Sequence, residues 1–323
     1  MNNNLSFNNL VIEEIKSVEN LMRDQAKDHH ADLQAALEHL ISSGGKRIRP
    51  NITLLAGRML NGNINRLITL SAAIELLHTA TLVHDDLIDG SLLRRGIPTL
   101  NARWSPAATV LTGDFLFAKA AKLASETDSI PVMKLFANTL VIIVNGEISQ
   151  LFSSRCNHNI DQYYQRIYEK TASLFETSTL AAGLIAEASE AEKEYLRQFG
   201  YEIGIAFQII DDILDFTSNA EKLGKPVGGD LRHGLITLPA IYYFESHQNE
   251  SNVKNYIDQD CFLTNTNLDI LIEQIRNSDA INTAYEKAKS HVSLGIRALL
   301  RLPEGDDRNA LEEMANYVTN RSI

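Results

Sequence analysis

The sequence predicts an all-α protein. Apolar residues recur at spacings of three and four almost throughout, which marks one face of a helix. No stretch alternates apolar and polar residues with period two for long enough to make a strand. Short polar breaks rich in Gly, Pro, Asn and Ser cut the chain into helix-length pieces. These observations describe one large helical array around one core, a single domain over residues 1–323.

Leu10, Val11, Ile15, Val18, Leu21 and Met22 mark the first helix. A second runs from about Ala31 to Ile41 and ends at Ser42-Ser43-Gly44-Gly45, because paired glycines suit a helix C-terminus. Lys46-Arg47-Ile48-Arg49-Pro50 leads into an apolar helix to about Leu60, and Asn61-Gly62-Asn63 turns the chain. A long helix covers about Ile64 to Ser91, with Gly96 and Pro98 in the loop that follows. Ala107–Ala124 and Pro131–Phe152 read as two buried helices separated by Thr127-Asp128-Ser129. Asp161–Ala188 gives one or two helices and Ala191–Phe216 another, followed by a polar loop, Thr217–Gly229. Leu231–Glu245 reads as one helix kinked at Pro239. Residues 246–262 are polar and without clear pattern, and helices near 265–276, 278–301 and 305–320 complete the chain.

With 44% hydrophobic and 22% charged residues, the composition is that of a soluble globular protein. The formal charge of −11 argues against nucleic-acid binding, which needs a basic footprint. It also makes an anionic ligand hard to hold without metal ions or a local basic patch. Cys156 and Cys261 form no CxxC and are read as free thiols in a reducing, cytoplasmic compartment. The N-terminus has no basic region leading into an apolar core, so no signal peptide is expected. The most apolar window, Leu67–Val83, contains Glu75 and His78 and is read as a buried helix, not a membrane span.

The chemistry concentrates in two acidic clusters. Asp85, Asp86 and Asp89 form the first DDxxD. On a helix, Asp85 and Asp89 share a face one turn apart, with Asp86 about 100° round. Asp211, Asp212 and Asp215 repeat the pattern downstream. Carboxylates this close repel unless cations separate them, and hard oxygen ligands suit Mg²⁺, which keeps several waters and bridges to phosphates. A lone DDxxD is usually a solvated helix end; a pair of them is far more specific. Two such helices facing a cavity would place up to six carboxylates at its mouth, calling for two or three divalent cations and an oligophosphate. Basic groups suited to phosphate oxygens accompany them: Lys46 and Arg49 beside paired glycines, Arg94 and Arg95 after the first cluster, Lys170-Thr171, and Lys225 after the second. His78 lies seven residues before Asp85, two turns back on the same face.

Taken in order, Gly44-Gly45-Lys46-Arg47-Ile48-Arg49-Pro50, His84–Gly96 (HDDLIDGSLLRRG), Glu169-Lys170-Thr171 and Phe207–Phe216 (FQIIDDILDF) resemble the trans-isoprenyl diphosphate synthases, or polyprenyl synthetases. The resemblance covers about residues 40 to 240. It implies an isoprenoid-synthase-type helical bundle around a deep central cavity, usually a homodimer, condensing an allylic diphosphate with isopentenyl diphosphate and releasing pyrophosphate. Carried over residue by residue, it implies Asp85, Asp89 and Asp211 as Mg²⁺ ligands, Asp86 in support, and Asp212 and Asp215 on metal-bound waters. It implies Lys46, Arg49, His78 and Arg95 on isopentenyl diphosphate. Arg94, Lys170, Thr171, Gln208 and Lys225 would hold the allylic diphosphate. Asp85, Asp89, Arg94, Lys170 and Asp211 are the catalytic set, and proton removal falls to the released pyrophosphate.

Leu235 departs from the pattern: many relatives carry a lysine there, before Thr237-Leu238-Pro239. Some long-chain relatives, including catalytic subunits of two-component synthases, lack it too, so a heterodimer stays open beside the homodimer. Product length should be set upstream of Asp85, by Ala80 and Thr81 and one turn deeper by Leu77. Small residues there leave a tail room to pass, implying a product longer than fifteen carbons, in the roughly thirty- to forty-five-carbon range of quinone side chains. Such a product implies peripheral membrane contact at release. A short-chain geranylgeranyl diphosphate synthase is the alternative. A terpene cyclase lacks the paired-glycine basic site, and a non-catalytic regulatory subunit loses its acidic motifs; both features are intact here.

Overall fold

The computed structural model describes residues 6–94, 96–152, 156–217, 227–259, 261 and 265–321. The all-α expectation holds. Among the described residues, β structure is confined to one two-residue hairpin, β1 (Leu93–Arg94) and β2 (Ile97–Pro98), antiparallel with Leu93 opposite Pro98 and Arg94 opposite Ile97. The chain forms two compact units.

The first unit comprises Met1–Leu140, Leu174–Gly200 and Ala298–Met314. It opens with a 3₁₀ turn, Ser6–Val11, then α1 (Ile12–Asp24), α2 (Ala31–Ser42), α3 (Ile48–Met59) and α4 (Ile64–Ile88). Next come α5 (Pro106–Ser125) and the start of α6 (Ile130–Phe152). Caps fix the starts: the Asn63 side chain accepts from the Arg66 amide, and Ser105 caps α5 with Pro106 in its first turn. Helix α4 is the hub and packs against α1, α3 and α5. Leu67, Leu70, Ala73, Ile74, Leu76, Leu77 and Ala80 are fully buried, as expected for Leu67–Val83. Each large apolar side chain so buried contributes about 1.5–3 kcal/mol. Two glycines permit the close approaches. A Cβ at Gly57 of α3 would run into Leu67, and one at Gly113 of α5 would run into the His84 ring.

The second unit comprises Val141–Ser173, Tyr201–Arg297 and Ala315–Ile323. Its elements include the end of α6, α7 (Ile160–Ile167), a π-helical turn (Tyr168–Ala172) and the C-terminal part of α9 (Glu190–Thr217). Then follow α10 (Gly229–Arg232), α11 (Leu238–Ser246), α12 (Ser251–Asp258), α13 (Asn265–Arg276) and most of α14 (Asp279–Leu299). Helices α8 (Ser173–Ile185) and α15 (Asp306–Asn320) complete the chain. Helix α11 packs on α7 and α13, and α12 on α13.

Three expectations are corrected here. Leu231–Glu245 is not one kinked helix: α10 ends at Arg232, and Pro239 sits in the first turn of α11, where its missing N–H costs nothing. The patternless stretch after residue 246 contains α12, anchored by only two buried side chains, Val253 and Tyr256. The Tyr256 hydroxyl donates to the Leu231 carbonyl (2.8 Å). Cys156 and Cys261 are not free thiols but form a disulfide, with Cα atoms 5.5 Å apart across a sequence separation of 105. Folding, not spacing, brings them together: the segment before α7 meets the residue that follows α12.

Both α4 and α6 are long and apolar enough to cross a membrane by length and composition, but they differ in burial. The most apolar window of α4 is 67% buried and that of α6 only 22%. On α6, Val141, Val144, Ile148 and Leu151 are exposed at helical spacing, a single uncovered stripe.

A disulfide closing so long a loop constrains the unfolded chain strongly. Reduction with dithiothreitol is expected to lower stability by about 2–4 kcal/mol, read as a fall in the urea unfolding midpoint. Cys156→Ser should show the lowered midpoint without reductant and no further response to it.

Candidate active site

In the first unit, α4 delivers the first acidic cluster. Asp85 is half-buried and Asp89 exposed, one turn apart, and the helix ends at Ile88. Asp86 lies round the side, 7% exposed, and cannot stay charged there unpaired. The hairpin answers this. Gly96 turns the chain at φ +77° and brings Arg94 back to Asp86. Its Nε donates to both carboxylate oxygens (3.0 and 3.1 Å), and Nη2 lies 2.9 Å from Oδ1. His39 Nε2 on α2 contacts the Pro98 carbonyl (2.8 Å), and Thr99 Oγ1 donates to the Ser91 carbonyl (2.8 Å), fixing the hairpin's base. The structure thus gives Arg94, expected on a diphosphate, a resting partner in Asp86. Arg95 lies outside the described residues.

The other basic ligands expected in this unit come from the start of α3 and the middle of α4. Lys46 is exposed; Arg49 is buried with its guanidinium 4.5 Å over the Phe175 ring. His78 is half-buried, and its carbonyl accepts from Thr81 Oγ1 (2.8 Å). Ala80 and Leu77 are fully buried on α4, and Thr81 is half-buried. Between the two expected ligands, Arg47 is almost wholly buried. Burial alone would push its guanidinium down, but Glu75 and Glu19 outweigh this and hold it above its ordinary value.

In the second unit, α9 delivers Asp211, Asp212 and Asp215, and their surroundings differ sharply. Asp212, 3% exposed, accepts from the Tyr163 hydroxyl (2.7 Å) and from Gln208 Nε2 (2.8 Å). Gln208 Oε1 in turn accepts from Thr171 Oγ1 (2.7 Å). Burial, with Asp230 adding repulsion, pushes the Asp212 carboxyl up to about 8 against the pull of Gln208, Tyr163 and Arg166. Burial and Asp212 likewise push the Tyr163 phenol well above its usual range. Both Asp212 oxygens are therefore engaged inside the protein. Asp212 faces inward because its position on the helix is about 100° from Asp211.

Asp215 accepts the backbone amides of Gly229 and Asp230 (both 3.1 Å) and so ties the start of α10 to the end of α9. Asp230, half-buried beside it, is raised by desolvation and by Asp215. Lys170 and Thr171 sit in the π-helical turn, a widened backbone often found at functional sites. Lys170 Nζ lies 3.0 Å from Glu147 Oε1. Gly146 makes room for this turn, since a Cβ there would come within 2.7 Å of the Glu169 Cβ. Lys225 lies outside the described residues. Leu235, which stands where many relatives have lysine, is half-buried and donates its amide to the Asp230 carbonyl (2.9 Å).

Several participants were not anticipated. Arg321, close to the C-terminus, places Nη1 2.7 Å from Asp211 Oδ1 and its guanidinium 4.3 Å over the Phe207 ring. Tyr163 could have been sought from its helix face, but nothing in the sequence ties Arg321 to Asp211. Among the described residues, no three His, Cys, Asp or Glu groups converge to hold a metal ion by themselves. A donor set of one or two carboxylates per cluster fits Mg²⁺ bound largely through water and phosphate oxygens, and fits Zn²⁺ poorly.

The Polyprenyl synthetase family model matches residues 30–273. The chain is 34% identical over 312 residues to heptaprenyl diphosphate synthase component 2 of Bacillus subtilis (strain 168), covering 96% of this chain and 89% of that one. It is 37% identical over 314 residues to an all-trans-nonaprenyl-diphosphate synthase (geranyl-diphosphate specific) of Rhodobacter capsulatus, covering 96% of each. Its fold superposes on a polyprenyl synthase from Caulobacter crescentus CB15, solved with calcium and isoprenyl diphosphate, with TM-score 0.90 and 34% identity over 98% of this chain and 97% of that one. The chain is a prenyl-transferring enzyme, and it belongs to the polyprenyl synthetase family.

Proposed function

We propose that this chain elongates an allylic diphosphate, such as farnesyl or geranylgeranyl diphosphate, by head-to-tail condensation with isopentenyl diphosphate, in a Mg²⁺-dependent reaction that releases pyrophosphate. The observation that carries this is the repeated acidic motif. Each copy turns its middle aspartate into the protein, Asp86 onto Arg94 and Asp212 onto Tyr163 and Gln208. Such a motif has its outer positions organised by an inner one, which a solvated acidic surface would not need.

In this reading Asp85, Asp89 and Asp211 hold the metal ions, which supply charge neutralisation to the departing diphosphate. The allylic C–O bond breaks with its electrons passing to the diphosphate. Arg94, Lys170, Thr171 and Gln208 grip that group, and fixed cations and donors are worth most where charge develops. The isopentenyl double bond attacks the allylic carbon, with its own diphosphate held by Lys46, Arg49 and His78. The proton lost in the last step goes to the released pyrophosphate. Apolar side chains exclude water from the allylic cation.

The growing tail passes Ala80 on α4 and reaches the level of Leu77, giving a product longer than fifteen carbons, in the roughly thirty- to forty-five-carbon range. The product names of the relatives support this range. The exposed stripe Val141, Val144, Ile148 and Leu151 supports a dimer, since an uncovered apolar helix face of this length calls for a partner. A homodimer is the first reading; the name of the Bacillus relative, component 2, favours a two-component assembly as the second.

Purified chain with Mg²⁺, labelled isopentenyl diphosphate and farnesyl diphosphate should yield a ladder of longer products, and chelation should abolish it. Extension that appears only on addition of a second protein would select the two-component reading. A cyclic hydrocarbon from farnesyl diphosphate alone would refute chain elongation. Asp85→Asn and Asp211→Asn are each expected to lower kcat by about a hundredfold or more, with unchanged far-UV circular dichroism. Ala80→Phe should shorten the main product; an unchanged product length would show that the tail runs elsewhere.

A further inference from the structure

Arg47 adopts a conformation that local preference does not explain. It stands at the N-cap of α3 with φ +46° and ψ 40°, in the left-handed region, and its side chain makes no capping bond. Ser, Thr, Asp and Asn are the usual residues at an N-cap, and glycine is the usual residue at positive φ. Gly44, just upstream, also takes the left-handed region, at φ +77°, where glycine has no Cβ to strain; Arg47 takes it with a full side chain.

Its side chain supplies the reason. Nε donates to Glu19 Oε1 on α1 (2.9 Å), Nη1 to Glu75 Oε1 on α4 (3.1 Å), and Nη2 to the Ile41 carbonyl in the last turn of α2 (2.7 Å). The Arg47 carbonyl accepts from the Asn51 amide (3.0 Å) and from Asn51 Nδ2 (2.8 Å) in α3. One residue therefore ties four helices together. Glu75 is buried at 6% exposure inside an apolar helix and stands three residues before His78, on the same face of α4. The guanidinium that fixes the loop between Lys46 and Arg49 is thus bonded one turn away from His78.

We propose that Arg47 is a positioning residue for isopentenyl diphosphate: it sets Lys46 and Arg49 in register with His78, using Glu75 as the fixed point on α4. This rests on the reading that Lys46, Arg49 and His78 hold that diphosphate. A buried ion pair that served the fold alone would affect both substrates alike. A registering residue affects the one whose ligands it aligns.

Arg47→Gly keeps the left-handed turn accessible while removing the side-chain anchor. It should raise KM for isopentenyl diphosphate about tenfold or more, leaving KM for farnesyl diphosphate within about twofold and kcat within about threefold. Arg47→Lys, which keeps one charge, should fall between this variant and the wild type. Parallel rises in both KM values, or no rise in a variant with wild-type circular dichroism, would overturn the proposal. If Arg47→Gly does not fold, Glu75→Gln takes its place, with a rise of about threefold confined to isopentenyl diphosphate; equal changes for both substrates count against it. Calorimetric titration with isopentenyl diphosphate, without divalent metal, separates this from the proposed activity. A wild type that binds it but transfers no prenyl group would refute the activity, while a tenfold weaker Kd in Arg47→Gly would still support the positioning role and an unchanged Kd would overturn it. A wild type that does not bind it overturns both.

Discussion

A carboxylate cannot be buried charged and alone, and each acidic cluster is arranged around that constraint. A DDxxD on a helix presents its first and last acids on one face and drives its second toward the protein. The second acid must then find partners. Asp86 finds a cation, Arg94, carried back by a two-residue hairpin. Asp212 finds neutral donors, Tyr163 and Gln208, and its carboxyl holds its proton more tightly as a result of burial. One motif thus reaches two electrostatic solutions: an ion pair in the first unit and a hydrogen-bonded acid in the second. Tyr163, Gln208 and Thr171 form a connected chain around the latter, so residues of α7, the π-helical turn and α9 are placed by a single buried group.

The same constraint explains how much of the fold and site was legible in the sequence. Helices α2, α4, α5, α6 and α9 lie within a few residues of their expected bounds because their apolar positions repeat every three or four residues over many turns. Helix α12 was missed because two apolar anchors in a polar stretch make no period. Pro239 was misplaced because a proline in the first turn and a proline at a kink look alike when the preceding short helix is not separately marked. The acidic and basic residues were legible as types at spacings. Their pairings were not: Arg94 with Asp86 depends on a hairpin too short to register as strand, and Arg321 with Asp211 depends on where the chain's last turn comes to lie. Cys156 and Cys261 show the same limit, since a separation of 105 residues carries no information about contact.

Neighbouring cations in this protein sit in different surroundings. Arg47 is enclosed and fully engaged with Glu19, Glu75 and a helix carbonyl. Lys46, directly after the Gly44-Gly45 pair, is exposed. A run of basic residues such as Lys46-Arg47-Ile48-Arg49 therefore does not act as a uniform patch. In an acidic protein this matters, because the groups that meet an anion are few and their placement depends on neighbours that never touch it.

The double amide contact of Asp215 has a consequence for how this enzyme can vary. Its carboxylate accepts from Gly229 and Asp230, and its carbonyl accepts from the Gly228 amide (2.9 Å), so the base of the connection between α9 and α10 is closed by one residue. One residue thus sets where α10 begins against the last turn of α9, so a substitution at Asp215 would loosen both helix ends together.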